Sequence, residues 1–341
     1  MRIVLLILLL CALKLSAQTL GGNAVFNFLN QPNTAHLSSI GGVNNSSISN
    51  DLGMAFHNPS LLRNGMHQQI STSFFSFAEG VKQIGLNGAW HVKKMETNAA
   101  FGVQFVDYGT ITQTDPSGNV LGYFKPVDYV VQLSLSRNYH ENWWYGLTTK
   151  FVSSNYGQYR SSGIAFDMGV AYYDEANKWQ ASIVAKNMGT QLKTYDASQP
   201  KEELPFDLQA GISKRLLKAP FQFSLTAHHL HRLNILYSDS SFNASEGNDA
   251  TKENSVTQQV LSHLVFSTEI FLSDKLQVNA GLNLLRRQSL NAYYSTNGLN
   301  GFTFGFALLL DKLHARYATG FYQQNLFHQF SLNFNLKGDP L

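Results

Sequence analysis

Alternation of apolar and polar residues is the feature that most constrains the fold of this chain. Residues 329–334, for example, read Gln-Phe-Ser-Leu-Asn-Phe. Successive side chains of a β-strand point to opposite faces, so this pattern collects the apolar residues on one side of a strand. The pattern recurs often enough to predict fourteen strands. They span residues 67–78, 80–92, 97–107, 127–137, 143–154, 161–173, 178–187, 204–214, 220–236, 259–272, 275–285, 301–310, 312–319 and 325–336.

The connections between the predicted strands alternate between short and long. Alternating strands alone would also fit a soluble sandwich of two packed sheets. Tight turns at one end and longer loops at the other are typical of an outer-membrane barrel, whereas a sandwich has no reason to produce them. The sequence therefore predicts an all-β fold, a 14-stranded antiparallel transmembrane β-barrel over residues 67–341. The short connections lie near 93–96, 138–142, 174–177, 215–219, 273–274 and 311, and the long ones near 108–126, 188–203, 237–258 and 286–300.

The composition fits a surface in contact with lipid. Charged residues make up 14% of the chain and aromatic residues 13%, against about 25% charged residues in soluble domains. Such a surface would aggregate in water. Beyond the N-terminal stretch the sequence lacks an apolar run near the length of a membrane helix, and a closed barrel is the other form that satisfies every backbone group within a bilayer.

The first 17 residues have the features of a secretory signal peptide. Arg2 precedes an apolar run from Ile3 to Leu13, and Ala17 is the expected last residue before cleavage. A retained anchor helix is disfavoured because the run is shorter than the roughly 20 residues of a membrane span. Cys11, the only cysteine, lies within this stretch, so we expect a mature chain without disulfides or cysteine metal sites.

Charge gives no indication of a nucleic-acid partner. Taking Arg2 and Lys14 from the 25 basic residues leaves 23 against 22 acidic residues. A nearly neutral chain lacks the basic excess that binds phosphate backbones.

Residues 18–66 interrupt the strand pattern. They contain the Gly41-Gly42 pair and the Asn58-Pro59 breaker, yet they also contain scattered apolar residues that could be buried. We predict an ordered hatch, or plug, inside the barrel lumen, with polar inward side chains of the strands satisfying its backbone. The candidate plug residues are Phe28, Leu29, Pro32, Gly41, Gly42, Asn58 and Pro59.

All four tryptophans lie near short connections. Trp90, Trp143, Trp144 and Trp179 fall at the turn ends of predicted strands, where an aromatic girdle meets the membrane–water boundary. Trp143 and Trp144 are adjacent, so one of the two should point inward.

The long connections are candidates for binding a partner. The polar stretch 239–257 is typical of a solvated loop. A hairpin extension with a turn at Asp115 to Gly118 carries aromatic residues, which make better interface candidates. The candidate partner-binding residues of the outer loops are Tyr123, Phe124, Leu192, Tyr195 and Phe242.

The sequence gives little support for metal or catalytic chemistry. His228, His229 and His231 form a compact histidine run in a predicted strand, with His229 and His231 on one face, but no carboxylate lies near them in the sequence. We therefore expect no metal site and no cofactor. Serine and histidine are plentiful, but no nucleophile-elbow signature singles out a catalytic residue, so a non-enzymatic protein is expected.

Several stretches carry a family resemblance. NFLNQPNTAHLSSIGG at 27–42 and DLGMAFHNPSLL at 51–62 resemble the start of FadL-like barrels, in particular the PorV and PorQ group of the type IX secretion system. LPFDLQAGISKRL, FQFSLTAHHL and RRQSL, at 204–216, 221–230 and 286–290, are similar to the same group. The similarity covers essentially the whole mature chain. It implies a fourteen-stranded outer-membrane barrel with an N-terminal hatch.

The resemblance also implies partners. Proteins of this group serve an attachment complex that removes C-terminal signals from secreted cargo and links the cargo to anionic lipopolysaccharide. The implied partners are a PorZ-like surface protein held by the barrel, with the sortase-like PorU and the barrel PorV in the same complex, together with outer-membrane lipid and lipopolysaccharide. The barrel itself is not expected to be the catalyst.

A hydrolase is the least favoured of three functions at this point, and two others are better supported. One is a non-enzymatic anchor for a surface partner. The other is a FadL-like channel for hydrophobic compounds, which would need an apolar lumenal pocket continuous with a lateral opening.

Overall fold

Fourteen antiparallel strands close into a barrel in the computed structural model of this chain, which describes residues 24–77, 80–236, 255–290 and 297–336. The predicted number of barrel strands is confirmed. Two further short strands, β4 and β5, form a separate hairpin. The strands are β1 (Gln69–Ser76), β2 (Lys82–Val92), β3 (Thr97–Asp107), β4 (Ile111–Thr114), β5 (Val120–Phe124), β6 (Val127–Tyr139), β7 (Trp143–Tyr156), β8 (Tyr159–Asp174), β9 (Trp179–Lys193), β10 (Asp207–Arg215), β11 (Phe221–Ala227), β12 (Leu264–Phe271), β13 (Leu276–Asn283), β14 (Phe302–Leu309), β15 (Leu313–Tyr322) and β16 (Asn325–Asn335).

The barrel closes where its first and last strands meet. β1 pairs with β16 from Gln69 opposite Asn335 to Ser76 opposite His328. The start of β1 and the end of β16 therefore lie at the same end of the barrel. The short turns lie at that end too, and we call it the short-turn end; the opposite end is the outer end.

The outward and inward faces of the strands differ as the alternation predicts. In β16, Phe330 and Leu332 are exposed on the outside, whereas Ser331 and Asn333 are buried inside. The other strands follow the same rule, so the barrel has an apolar exterior and a largely polar interior wall. This arrangement suits lipid outside and a polar, hydrogen-bonding filling inside.

Two predicted strands are shorter than expected. The strand predicted for 220–236 ends at Ala227, and the one predicted for 259–272 begins at Leu264. Residues before β12 form a helix because Ser255 and Gln258 make a capping box, in which each side chain bonds the backbone N–H of the other residue. His229 adopts a left-handed backbone with φ of 54°, which ends strand geometry there.

The helices are short. They are α1 (Ala35–Ser39), α2 (Leu52–Ala55), α3 (Val256–Ser262) and α4 (Leu284–Ser289), with 3₁₀ turns at Asn27–Asn30, Pro59–Leu61, Asn64–Met66 and Lys93–Met95. In the part of the chain that the structure describes, none is long and apolar enough to cross a membrane.

Residues 24–66, which we call the lumenal segment, lie inside the barrel. Side chains at the starts of its turns cap them: Thr34 for α1, Asp51 for α2 and Asn58 for the turn that begins at Pro59. Most of the segment is buried. The predicted signal peptide and the first residues of the predicted hatch lie outside the described residues.

Candidate functional site in the barrel lumen

The lumenal segment is hydrogen-bonded to strands on opposite sides of the barrel. The backbone N–H of Leu52 donates to Gln69 of β1 at 2.9 Å, and that of Gly41 donates to Thr303 of β14 at 3.0 Å. Across the lumen, the Ser46 and Ser213 hydroxyls lie 2.9 Å apart. Because these contacts extend around the wall, the polar interior satisfies groups that the short helices and turns of the segment leave unpaired.

Glycines in the wall allow the segment to approach closely. A β-carbon at Gly281 would overlap the backbone of Gly41, and one at Gly146 would overlap Pro59. Gly41 itself has φ of 97°, a conformation that favours glycine. At these glycines the backbone of the segment therefore packs directly against the backbone of the wall.

The predicted plug residues all lie in this segment. Phe28 and Leu29 are buried near the outer end. The carbonyl of Pro32 accepts hydrogen bonds from Gln83 at 3.1 Å and Gln329 at 3.2 Å. Gly42 donates its backbone N–H to Leu37 past the end of α1 at 2.9 Å. Asn58 caps the turn that contains Pro59 and donates to the carbonyl of Asn45 at 2.8 Å.

A buried charge network lies between the segment and the wall. His36 Nε2 lies 2.9 Å from a Glu269 carboxylate oxygen, and Nδ1 lies 3.6 Å from Asp51. Burial alone lowers the pKa of His36, but Glu269 and Asp51 outweigh burial and raise it to about 9. The imidazole is therefore protonated at neutral pH and forms an ion pair with Glu269.

Polar neighbours complete this network, which we call the His36 network. Burial favours the neutral form of Asp51, but Arg316 and His36 outweigh it and hold the pKa of Asp51 below its usual range. Asn333 donates to Asp51 at 2.9 Å. Ser47 donates to Glu269 at 2.7 Å. The network thus joins the segment to β12, β15 and β16.

A second charged group holds the middle of the segment. Lys186 of β9 lies 2.9 Å from Nδ1 of His57. Burial, and then the charge of Lys186, lower the pKa of His57 well below its usual value. A neutral His57 can therefore accept a hydrogen bond from the lysine. Next to this pair, Lys150 and Asp167 form a buried salt bridge of 2.6 Å.

Near the outer end the contacts become apolar. Val25, Phe26, Phe28 and Leu29 pack against the wall and form what we call the outer apolar cluster. Its members on the wall and in the adjoining connection are Val106, Val130, Val152, Ala165 and Leu204, with Tyr195 partly buried against it. The side chains of the segment thus occupy the space that an apolar lumenal pocket would need at this level.

At the short-turn end the lumen opens into a cavity of about 1190 Å³. Its lining includes charged side chains such as Glu269 and Arg316. The guanidinium of Arg63 lies 4.3 Å from the ring centroid of Trp144 and donates a hydrogen bond to Gln180 at 2.8 Å. Much of the cavity lining is polar, which differs from the apolar pocket expected of a channel for hydrophobic compounds.

The tryptophans lie at the short-turn end. Trp90 and Trp143 are about half exposed on the outside. Tyr172 lies between Trp143 and Trp179, with 5.1 Å between ring centroids on each side. Trp144 points inward to Arg63. The outward rings form an aromatic band, and the inward ring helps to hold the end of the lumenal segment.

The partner-binding candidates are spread over the outer end. Tyr123 on the β4–β5 hairpin is 71% exposed and Leu192 is 53% exposed, whereas Phe124 is half-buried against the loop at Gly157. Tyr195 stacks on Tyr156 at 5.4 Å between centroids and faces the outer apolar cluster. Phe242 lies outside the described residues.

Some exposed apolar residues were missed by the sequence analysis. Val120 and Leu121, beside Tyr123 on the hairpin, are 59% and 63% exposed. The sequence signal was present, because both residues follow the turn at Asp115 to Gly118 in the same projecting element. On this hairpin, however, the prediction included only the aromatic residues Tyr123 and Phe124.

The histidine run does not lie on a strand. Because β11 ends at Ala227, His229 and His231 do not share a strand face as predicted. Strand pairing also brings a carboxylate to the run: Asp207 Oδ1 lies 3.8 Å from His229 Nδ1. The prediction that no carboxylate lies near these histidines was based on distance along the sequence, and it was wrong for their positions in space.

Comparison with known proteins defines the class of fold. No protein-family model and no curated protein matches the sequence. Among solved structures, the deltaS2 mutant of the TodX monoaromatic hydrocarbon channel matches with a TM-score of 0.53 and 9% identity, over 89% of this chain and 97% of that one. A Pseudomonas aeruginosa FadL homologue matches with a TM-score of 0.46 and 11% identity, over 89% and 98% of the two chains. The likeness to TodX, together with the closed wall, shows the fold of an outer-membrane β-barrel, as the resemblance to FadL-like barrels implied.

Proposed function

We propose that this protein is a closed, non-enzymatic barrel of the outer membrane that acts through its outer surface. The occupied lumen carries this proposal. The lumenal segment runs from the outer apolar cluster to the cavity at the short-turn end, and it is fixed on the way by the His36 network. A wall with this filling lacks the water-filled bore of a general porin.

The apolar exterior and the aromatic band support the location. Outward Trp90 and Trp143 mark one membrane–water boundary at the short-turn end. Short turns of such barrels face the periplasm and longer connections face outside. In this orientation the β4–β5 hairpin projects from the cell surface.

The finer proposal is a PorQ-like role. In it the barrel holds a PorZ-like surface protein that works with PorU and PorV, close to lipopolysaccharide. The sequence resemblance supports this role. So does the hairpin, where Val120, Leu121 and Tyr123 form an exposed apolar edge suited to a protein partner.

Affinity capture from detergent-solubilised membranes tests this role. We expect the intact barrel to retain a PorZ-like protein and a Leu121→Ser/Tyr123→Ser double variant to lose most of it. Met95→Ser is the matched control, since Met95 is 65% exposed in a short turn at the other end. Capture of the intact barrel without any PorZ-like protein would contradict the role.

A second candidate is a FadL-like channel for hydrophobic compounds. The comparisons favour it over the PorQ-like role, because the TodX structure is that of a monoaromatic hydrocarbon channel. In this chain it requires movement of Phe26 and Phe28, which fill the outer part of the lumen.

Uptake by vesicles that contain the purified barrel separates the candidates. A channel would accelerate entry of toluene-like molecules relative to protein-free vesicles, and a Phe28→Ala variant would accelerate it further. Rates equal to those of protein-free vesicles for both proteins would exclude the channel and leave the anchor.

A further inference from the structure

A cluster of metal-ligating side chains lies at the outer end of the barrel, away from the His36 network. Ligand atoms of Asp207, His228 and His229 all lie within 4.8 Å of one another. Asp207 begins β10, and the two histidines follow β11, which pairs with β10. The cluster therefore joins two neighbouring strands and the connection that leaves the second one.

The two histidine rings turn the same nitrogen toward each other. His228 Nδ1 and His229 Nδ1 lie 2.5 Å apart, so at most one hydrogen fits between them. At least one nitrogen lone pair therefore points into the space between the rings, and the carboxylate of Asp207 lies beside it. Metal binding deprotonates this site fully and uses both lone pairs.

Backbone contacts hold the three residues in place. The backbone N–H of His229 donates to Asp207 Oδ1 at 2.6 Å. The backbone N–H of His228 donates to the carbonyl of His263 at 2.9 Å, and His263 Nδ1 donates to the carbonyl of His228 at 2.7 Å. These bonds fix the backbone on both sides of the cluster, which lowers the cost of assembling a metal site.

Burial adds a reason for a ligand. Asp207 and His228 are 4% and 1% exposed. His228 Nε2 is buried without a hydrogen-bond partner among the described residues. Coordination through Nδ1 pairs that nitrogen of the buried ring and leaves the remaining imidazole proton on Nε2.

We propose that Asp207, His228 and His229 bind one divalent transition-metal ion of the Zn²⁺ class. Two imidazole nitrogens and one carboxylate oxygen suit Zn²⁺, Ni²⁺ or Cu²⁺ better than Ca²⁺ or Mg²⁺, which prefer oxygen ligands. Ligand atoms about 2.0–2.1 Å from Zn²⁺ in tetrahedral geometry lie about 3.3 Å apart. Small side-chain rotations bring the three residues to that spacing, and the partly exposed side of His229 leaves the fourth position to water.

Bound there, the ion fastens the start of β10 to the connection between β11 and β12. That connection contains α3 and belongs to the outer end of the barrel. The site is thus placed to hold the first residues of that connection against the start of β10.

Metal analysis of the full barrel tests the site. The protein is purified in detergent with an affinity tag that contains no histidine, treated with a chelator, and equilibrated with limiting Zn²⁺ in the presence of excess Ca²⁺. We expect about one zinc per chain by mass spectrometry of the elements. A Cu²⁺-loaded sample should show nitrogen couplings from two imidazoles in its electron paramagnetic resonance spectrum.

Three variants locate the ion. His228→Ala/His229→Ala should lose the zinc and the nitrogen couplings. Asp207→Asn should bind zinc more weakly while it keeps an acceptor for the His229 N–H, and Gln209 can turn its free oxygen toward the new amide. His140→Ala, at an exposed histidine of the short-turn end, should bind zinc like the natural sequence.

Heat-modifiable migration in gels confirms that each variant is a folded barrel before its metal content is compared. Zinc content below one tenth of an ion per chain in the natural sequence would overturn the proposal. A folded His228→Ala/His229→Ala variant with the same zinc content as the natural sequence would also overturn it.

Discussion

The two ends of the lumenal segment are fixed to the same barrel by different kinds of interaction. Near the outer end, Phe26 and Phe28 pack against aliphatic side chains of the wall. Toward the short-turn end, His36 and Asp51 are held by charges and directed hydrogen bonds. Apolar packing is tolerant of register, whereas a buried ion pair is satisfied in one arrangement only. The charged end therefore sets the position of the segment, and the apolar end fills the remaining space.

Deletion of residues 25–62 removes both attachments and should have the largest effect. The polar wall would then face an empty or water-filled lumen, so we expect an unstable barrel or a conducting one. Conductance in planar bilayers and heat-modifiable migration in gels measure the two outcomes. Deletion of 111–124, which removes only the β4–β5 hairpin, is the control. A stable, non-conducting barrel without the segment would contradict its role as a plug.

Glu269→Gln tests the charged end alone. It leaves the protonated His36 without its closest partner in a buried site, and we expect a loss of about 3–5 kcal/mol in the free energy of unfolding. Denaturant titration of the barrel in detergent gives the value. Glu96→Gln is the matched control, because Glu96 pairs with Arg137 at 3.2 Å on the exposed surface. That pair should contribute at most about 1 kcal/mol. Equal effects would mean that the His36 network does not position the segment.

Phe28→Ala tests the apolar end. Loss of a buried phenyl ring should cost about 3 kcal/mol, near the lower end of the range for such truncations, because the exposed outer end can relax around the gap. Phe28→Leu should recover most of this loss. The same denaturant titration measures both variants. A Phe28→Ala barrel as stable as the natural sequence would show that the outer apolar cluster is not an attachment.

The pH dependence of stability is the smallest of the expected effects, and it distinguishes the charged end of the segment from the apolar end. The pKa of His36 is raised from 6.5 to about 9 in the folded protein. The folded state therefore binds the proton more tightly, and this contribution is complete below pH 6.5 and is lost as the pH rises through about 9. The slope for one group cannot exceed about 1.4 kcal/mol per pH unit.

Titrations between pH 6 and 10 measure this slope. Stability of the natural sequence should fall over that range, and His36→Gln should remove most of the fall. Phe28→Ala, although less stable, should keep the same slope as the natural sequence. An unchanged slope in His36→Gln would assign the pH dependence to other groups.

The strands of the barrel wall could be predicted from the sequence because apolar–polar alternation is a local pattern. Alternation at every second residue and the short turns at one end were sufficient to predict fourteen strands. They also predicted a closed barrel, in which the first strand pairs with the last. The errors fell where a local signal was read with the wrong rule. The Ser255–Gln258 capping box begins a helix that extends into the predicted strand 259–272, and the left-handed backbone of His229 prevents β11 from continuing beyond Ala227 as predicted.

The filling of the lumen could be predicted only in outline. Glycines and breakers indicated a non-strand segment that needs a cavity. The partners of its charged residues depend on pairing over long sequence distances: His36 meets Glu269, which lies 233 positions away. Asp207 likewise reaches the histidine run through the pairing of β10 and β11. Such contacts depend on the register of every strand pair around the barrel. No local pattern in the sequence predicts them.

The pairing of β1 with β16 has a consequence for how the protein is made. The segment that fills the lumen leads directly into β1, and Gln68, between the two, bonds Ala89 on one side and Leu336 on the other. The chain must therefore enclose its own first folded residues when its last strand arrives. The strands can gather around the segment as an open sheet before the pairing of β1 with β16 seals the ring. In this order the lumenal segment is a template for the barrel. A truncated chain that lacks β16 should expose both the segment and the remaining strands to proteolysis.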